Sequence, residues 1–351
     1  MWIRSLNKQE ELACPRLVLT RSGQSLSHLL VGEKKLSTLE AEKKEIVMSR
    51  RVLIFIGFAA VLLLAACGGG EETISLVENP WPASELNVEV AKIIIESELG
   101  NTVEIVALDE NAQWDAISAG DVDASLEVWP SGHSERIAEY IDDLGTVENG
   151  GLLGPVGEIG WFVPTYAIDA NPALATWEGY KDAAADFASA ETGDLGRFLG
   201  ADPSWVQYDE AIINNLGLPF QVVWTGSEDA LLAEVSSAYS RQEPVLFYFY
   251  SPHALFQEFD LTQVELPAYS DECYADPAAV DCAYPKDELM KIFNADLNDK
   301  DSDVHTFLSN MRYGSEAQIE MLANVNAGMT VEEAAQAWVD AHEDIWSTWL
   351  P

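Results

Sequence analysis

The chain has 351 residues, of which 48% are hydrophobic and 10% aromatic. That is enough to bury a sizeable core and too apolar for intrinsic disorder. Its 59 Asp and Glu against 19 Lys and Arg give a net charge of −40. Such a surface repels phosphate backbones and anionic membranes, so nucleic acid is excluded as a partner, while a cationic or zwitterionic small ligand suits the field.

Residues 1–47 fit no export or folding pattern and read as an extension ahead of a true start at Met48. Met48-Ser-Arg-Arg51 is a short basic segment, followed by the charge-free apolar run Val52–Ala66. Fifteen residues are too few for a helix to cross ~30 Å of hydrocarbon, which takes about 20. Basic, then apolar, then small residues make a secretory signal over 48–66. The run ends Leu64-Ala65-Ala66-Cys67 before three glycines, and this resembles the lipobox of bacterial lipoproteins. The resemblance implies that Cys67 is acylated and becomes the mature N-terminus, with 67–72 as a tether. The protein is then extracytoplasmic and touches the membrane through its lipid anchor only. Removing the leader leaves 53 acidic residues against 9 basic ones.

Beyond the tether, strand-like and helix-like segments alternate. Thr73–Glu78, Thr102–Ala107, Ala124–Val128 and Ile159–Val163 read as strands. Ala83–Leu99, Gln113–Ala119 and Ser134–Ile141 read as helices between them. Gly154-Pro-Val-Gly157-Glu-Ile-Gly160 reads as a turn. Thr165–Gly196 is irregular. A second set follows: Tyr208–Leu216 (helix), Gln221–Trp224 (strand), Glu228–Arg241 (helix) and Pro244–Tyr250 (strand). This alternation predicts an α/β fold with a largely parallel sheet in two sets, hence two lobes with a cleft between them. Leu261–Pro285 is irregular and holds Cys273 and Cys282, which are expected to form a local disulfide in an oxidising compartment. With no His nearby they are only half a zinc site, and no metal is expected. Ser302–Met311, Ser315–Asn324 and Thr330–Leu350 read as helices, the last opened by the capping box Thr330-Val-Glu-Glu333.

Three strand-like runs end alike. Ile74–Pro80 leads to Trp81 and Pro82, Ser125–Val128 leads to Trp129 and Pro130, and Val245–Phe249 leads to Tyr250, with Pro252 two residues on. Each sets a large flat ring where the chain leaves the sheet, and in open α/β sheets ligands bind outside the carboxyl ends of the strands. Converging aromatic faces suit an organic cation through cation–π attraction. Ser204 is placed to cap the helix that follows it, and helix N-termini receive carboxylates.

These residues resemble the substrate-binding proteins of ABC importers for glycine betaine and related quaternary amines. The stretches that carry the resemblance are Asn79-Pro-Trp-Pro-Ala-Ser84, Gly120-Asp-Val-Asp-Ala124, Glu127-Val-Trp-Pro-Ser-Gly-His133, Gly160-Trp-Phe-Val-Pro164, Gly200-Ala-Asp-Pro203 and Tyr250-Ser-Pro-His253. The resemblance covers residues 73–351. It implies a periplasmic-binding-protein type II fold, with 73–164 plus 258–351 as one lobe and 165–257 as the other. By motif match the cation cage falls on Trp81, Trp129 and Tyr250. Tyr250 stands where relatives carry Trp in a Trp-Thr-Pro-His motif. Trp205 is either a fourth wall or a lobe-surface side chain. The ligand carboxylate is assigned to His133 and to the backbone near Val206 and Gln207. In relatives the second motif is often the longer Trp-Leu-Pro-x-Thr-His; here it is Trp-Pro-Ser-Gly-His. The implied partners are a small quaternary amine and the permease and ATPase subunits of an ABC importer, with the protein a monomer. Glycine betaine, proline betaine, choline, carnitine and dimethylsulfoniopropionate are not separated by sequence. No zinc-protease pair, nucleophile elbow, P-loop or dinucleotide fingerprint occurs, so neither an enzyme nor a cofactor is expected. The remaining alternative is a calcium-dependent surface lipoprotein suggested by the acidity alone.

Overall fold

Strand β1 (Thr73–Glu78) has Ile74, Leu76 and Val77 wholly buried, as expected of a strand covered on both faces. The computed structural model describes residues 73–351; the leader, Cys67 and the tether lie outside them. β1 pairs in parallel with β2 (Thr102–Ala107) and β3 (Ala124–Val128). Helix α1 (Pro82–Ile94) joins β1 to β2 and starts on a proline, whose fixed φ suits the first helical position. Helix α2 (Ala112–Ala119) joins β2 to β3 and closes on Gly120 in the left-handed region. A second parallel set comprises β5 (Gly196–Gly200), β6 (Phe220–Trp224) and β7 (Leu246–Ser251). It is linked by α3 (Asp209–Asn215) and α4 (Glu228–Arg241).

Two long strands run between the sets. β4 (Val147–Pro164) is antiparallel to β9 (Lys286–Asn294) along its first part and to β7 along its last. Glu158 faces Lys286 on one side and Ser251 on the other. The order β2-β1-β3-β9-β4-β7-β5-β6 is thus one continuous sheet, with β8 (Leu261–Gln263) paired to the end of β4. The α/β fold that the alternation implied is present, but its sheet is mixed where a largely parallel one was expected, because β4 and β9 join the two parallel sets by antiparallel pairing.

Further sequence expectations are corrected. The segment from Gly154 to Gly160 is not a turn but lies inside β4. Its glycines serve close packing: a Cβ on Gly157 would come within 2.2 Å of the Trp129 ring. β5, β8 and β9 are strands that the sequence pattern does not predict. The helix expected over Thr330–Leu350 ends early. Its first part is α7 (Val331–Ala341), capped by Thr330 and Glu333 as the capping box requires, and the chain turns at His342. α7 packs on α1, behind the sheet. Cys273 and Cys282 are joined, with Sγ–Sγ 2.13 Å, in the loop between β8 and β9. Among the described residues, no helix is long and apolar enough to cross a membrane.

Helices α5 (Ser302–Asn310) and α6 (Ser315–Asn326) follow β9. Lys291, in the middle of β9, is wholly buried, and its Nζ donates to the carbonyls of Leu308, Ser309 and Met311 at 2.7, 3.0 and 2.6 Å. It thereby serves the unpaired carbonyls at the end of α5. Burial pushes its amine down to about 7. In the unfolded chain the amine titrates near ~10.4, so unfolding takes up a proton between those values and stability rises with pH across that window. Lys291→Met should remove this rise. It should also lower the unfolding free energy by about 1–3 kcal/mol near neutral pH, because buried carbonyls lose their donor. Denaturant unfolding of both proteins from pH 6 to 10 measures both effects.

Candidate ligand site

Trp81 leaves β1 at the N-terminus of α1, Trp129 follows β3, Trp205 lies in the turn after β5, and Tyr250 is near the end of β7. The four rings line one cavity. Trp81 meets Trp205 edge to face at 5.8 Å between ring centres, Trp129 meets Tyr250 at 5.6 Å, and Trp205 meets Tyr250 at 6.0 Å. Trp205 therefore faces the cavity and not the lobe surface. Tyr208, Tyr248 and Tyr284, which the sequence motifs do not single out, complete the aromatic wall.

Buried carboxylates brace these rings from behind. The indole N–H groups of Trp81 and Trp129 both donate to Oε1 of Glu127, at 2.9 and 3.1 Å. Asn87 donates to Oε2 at 2.5 Å. On the opposite wall, the Tyr250 hydroxyl donates to Glu228 at 2.7 Å, and His253 Nε2 lies 3.0 Å from the other oxygen of Glu228. Asp209 accepts from Trp161 at 2.6 Å and from the Tyr284 hydroxyl at 3.0 Å. Each bond removes rotational freedom from a ring, so the cavity wall is organised before any ligand arrives.

The opposite end of the cavity is polar. Glu110, in the turn between β2 and α2, lines it and is almost wholly buried. Its Oε1 accepts the backbone N–H of Val206, and its Oε2 lies 2.9 Å from His133 Nε2. His133 and Val206 are thus together, but on a protein carboxylate. Gln207 is not part of the wall: its amide donates to the Asp202 carbonyl at 2.8 Å and stays within its own turn. Ser204 does not cap a helix. Its hydroxyl donates to Asp202 at 2.7 Å, and α3 begins only at Asp209 without a side-chain cap. No Lys or Arg lines the cavity.

Desolvation dominates the acid chemistry here. Burial pushes the Glu127 carboxyl up to about 7, against the pull of its bonds to Trp81, Trp129 and Asn87. Asp209 is pushed up to about 7 by the same cause. Between the unfolded value near 4.5 and the folded value near 7, the folded protein holds a proton that the unfolded chain has released. The stability that this proton confers is full below that window. It falls as pH rises through it, by about 1.4 kcal/mol for each pH unit crossed. The unfolding free energy of the wild type should therefore drop more steeply between pH 5 and 8 than that of Glu127→Gln, by about 2–3 kcal/mol. Parallel curves in denaturant titrations would contradict this.

Residues 72–341 match the family described as the substrate-binding domain of ABC-type glycine betaine transport systems (OpuAC). A trimethylamine N-oxide-binding protein of Pelagibacter ubique (strain HTCC1062) is 26% identical, over 86% of this chain and 96% of that protein. Among solved structures, lactococcal OpuAC in its closed form with glycine betaine superposes with TM-score 0.63 at 20% identity, over 80% of this chain and all of that one. An ABC-transporter choline-binding protein in complex with choline gives 0.64 at 19%, over 79% and 91%. ProX of Borrelia burgdorferi gives 0.66 at 17%, over 80% and 97%. These likenesses establish the two-lobed binding-protein fold, and the match over 72–341 establishes the lineage: the chain belongs to the substrate-binding family of ABC-type glycine betaine transport systems.

Proposed function

We propose that this protein captures a small onium solute in the cage formed by Trp81, Trp129, Trp205 and Tyr250 and delivers it to an ABC permease and its ATPase. The observation that carries this reading is the set of four rings around one cavity, braced by the buried carboxylates of Glu127 and Glu228. A cation over an aromatic face gains about 0.5–1 kcal/mol when exposed and about 2 or more when desolvated. Indole and phenol donors bonded to acidic partners present electron-rich faces, and the negative surface of the protein adds a long-range pull on cations. The named ligands of the similar proteins are glycine betaine, choline and trimethylamine N-oxide. All three carry a methylated cationic nitrogen, which supports the assignment of the cage to that group.

The same proposal includes the export and architecture that the sequence suggests. Cleavage before Cys67 and its acylation would tether a monomeric, extracytoplasmic binding protein, with two or more acyl chains giving stable anchoring. The lobes would run from 73 to 164 with 258–351, and from 165 to 257. β4 changes partner from β9 to β7 at Glu158, so a hinge there would leave the last residues of β4 paired with the second parallel set. The protein is a carrier and not an enzyme on this reading, because the cavity is walled by rings and held carboxylates with no nucleophile–base pair.

A thermal-shift screen of the purified protein with choline, trimethylamine N-oxide, carnitine, glycine betaine and calcium tests the reading. A ligand at about a hundred times its Kd adds about 2.7 kcal/mol, which raises the Tm by several degrees. At least one onium compound should do so and calcium should not. Trp129→Ala should abolish the rise, while Tyr250→Trp should retain it. A rise with calcium alone, or full binding by a protein with Trp81 and Trp129 both changed to Ala, would overturn the proposal.

A further inference from the structure

We infer that Glu110 occupies the place where a ligand carboxylate would bind, so that the site takes an onium compound without a carboxylate; this rests on the cage reading above. Three observations carry it. Glu110 faces the same cavity as the rings and is only 6% exposed. Both of its oxygens are engaged, one by the Val206 N–H and the other by His133 Nε2. Those are two of the three groups that the sequence resemblance assigns to a ligand carboxylate. The third, the backbone at Gln207, is not part of the cavity wall.

A ligand carboxylate therefore meets a poor environment. It would lie beside a carboxylate of like charge in a partly dry cavity, where such pairs repel strongly. The Val206 N–H on the wall, and His133, which is not part of the wall, are both already held by Glu110, and no Lys or Arg on the wall compensates. Displacing Glu110 instead would strip a buried acid of its partners, which is costly. A trimethylammonium group with a neutral oxygen end avoids both penalties. A hydroxyl end, as in choline, can donate to a Glu110 oxygen, since a carboxylate accepts more than one bond per oxygen. An N-oxide carries its oxygen on the nitrogen itself and brings no separate anionic arm toward Glu110. Both belong to the class inferred here; glycine betaine and carnitine do not.

The test is isothermal calorimetry of the full protein with choline, trimethylamine N-oxide and glycine betaine, for wild type and for Glu110→Ala. In the wild type, glycine betaine should bind at least tenfold more weakly than the tighter of the other two. In Glu110→Ala, which frees His133 and the Val206 N–H, that gap should shrink by at least threefold. If Glu110→Ala does not fold by circular dichroism, Glu110→Gln provides the same comparison, since it removes the charge and keeps the shape. A wild-type gap below tenfold, or a gap that does not shrink by threefold in the folded variant, overturns the inference while the cage stands. If none of the three compounds binds the wild type, the cage reading falls and this inference falls with it.

Discussion

A single carboxylate, that of Glu127, is shared by the indoles of Trp81 and Trp129, and the geometry of the cavity depends on that sharing. Trp81 hangs from the start of α1 and Trp129 from the end of β3, so the two rings are brought to one side chain from different elements. Burying a carboxylate is expensive unless its lone pairs are filled. Here two indoles and Asn87 fill them. The arrangement holds two large side chains in fixed orientations. Glu228 does the same for Tyr250 with the help of His253. The rings are therefore held by polar bonds at their far edges and line the cavity together.

The sheet sets where these walls stand. Parallel strands on either side carry Trp81, Trp129 and Tyr250 at their carboxyl ends. The antiparallel pair β4 and β9 lies between the sets, so the ends of both sets face one another across a single cavity. Gly157 has a specific part in this. The Trp129 ring lies against β4 at that position, and any side chain there would collide with it. Lys291 anchors the same central pair from the other direction, because its Nζ ties β9 to the last turn of α5.

Much of the fold was legible because its strands are short apolar runs closed by proline or glycine, and Trp-Pro after a strand marks a ring at the edge of a sheet. Trp81, Trp129 and Tyr250 were legible for that reason, and the structure gathers them with Trp205. β9 was not, since Leu289, Met290, Ile292 and Phe293 have a spacing that suits a helix as well as a strand, and Lys291 breaks the apolar run. The carbonyls that make Lys291 acceptable in the core come from 17 to 20 residues away. The glycines of β4 resembled a turn because their reasons lie in distant residues: the Tyr313 carbonyl at Gly154, the Trp129 ring at Gly157 and the Gln263 side chain at Gly160. Glu110, Glu127 and Glu228 were hidden by number: in a chain with 59 acidic residues, three buried ones look like solvated surface. Glu127, inside the apolar strand Ala124–Val128 and just ahead of Trp129, was the one local signal of a buried acid with a partner.

The central claim is that braced rings recognise positive charge and not merely a globular methyl cluster. Calorimetry with choline and with 3,3-dimethylbutan-1-ol, its neutral carbon isostere, isolates that effect, since the two share shape and hydroxyl and differ in the charge of one atom. Several rings acting on a desolvated cation should separate the pair by about 3 kcal/mol or more, roughly 100-fold in Kd. Equal binding of the two compounds would contradict the account.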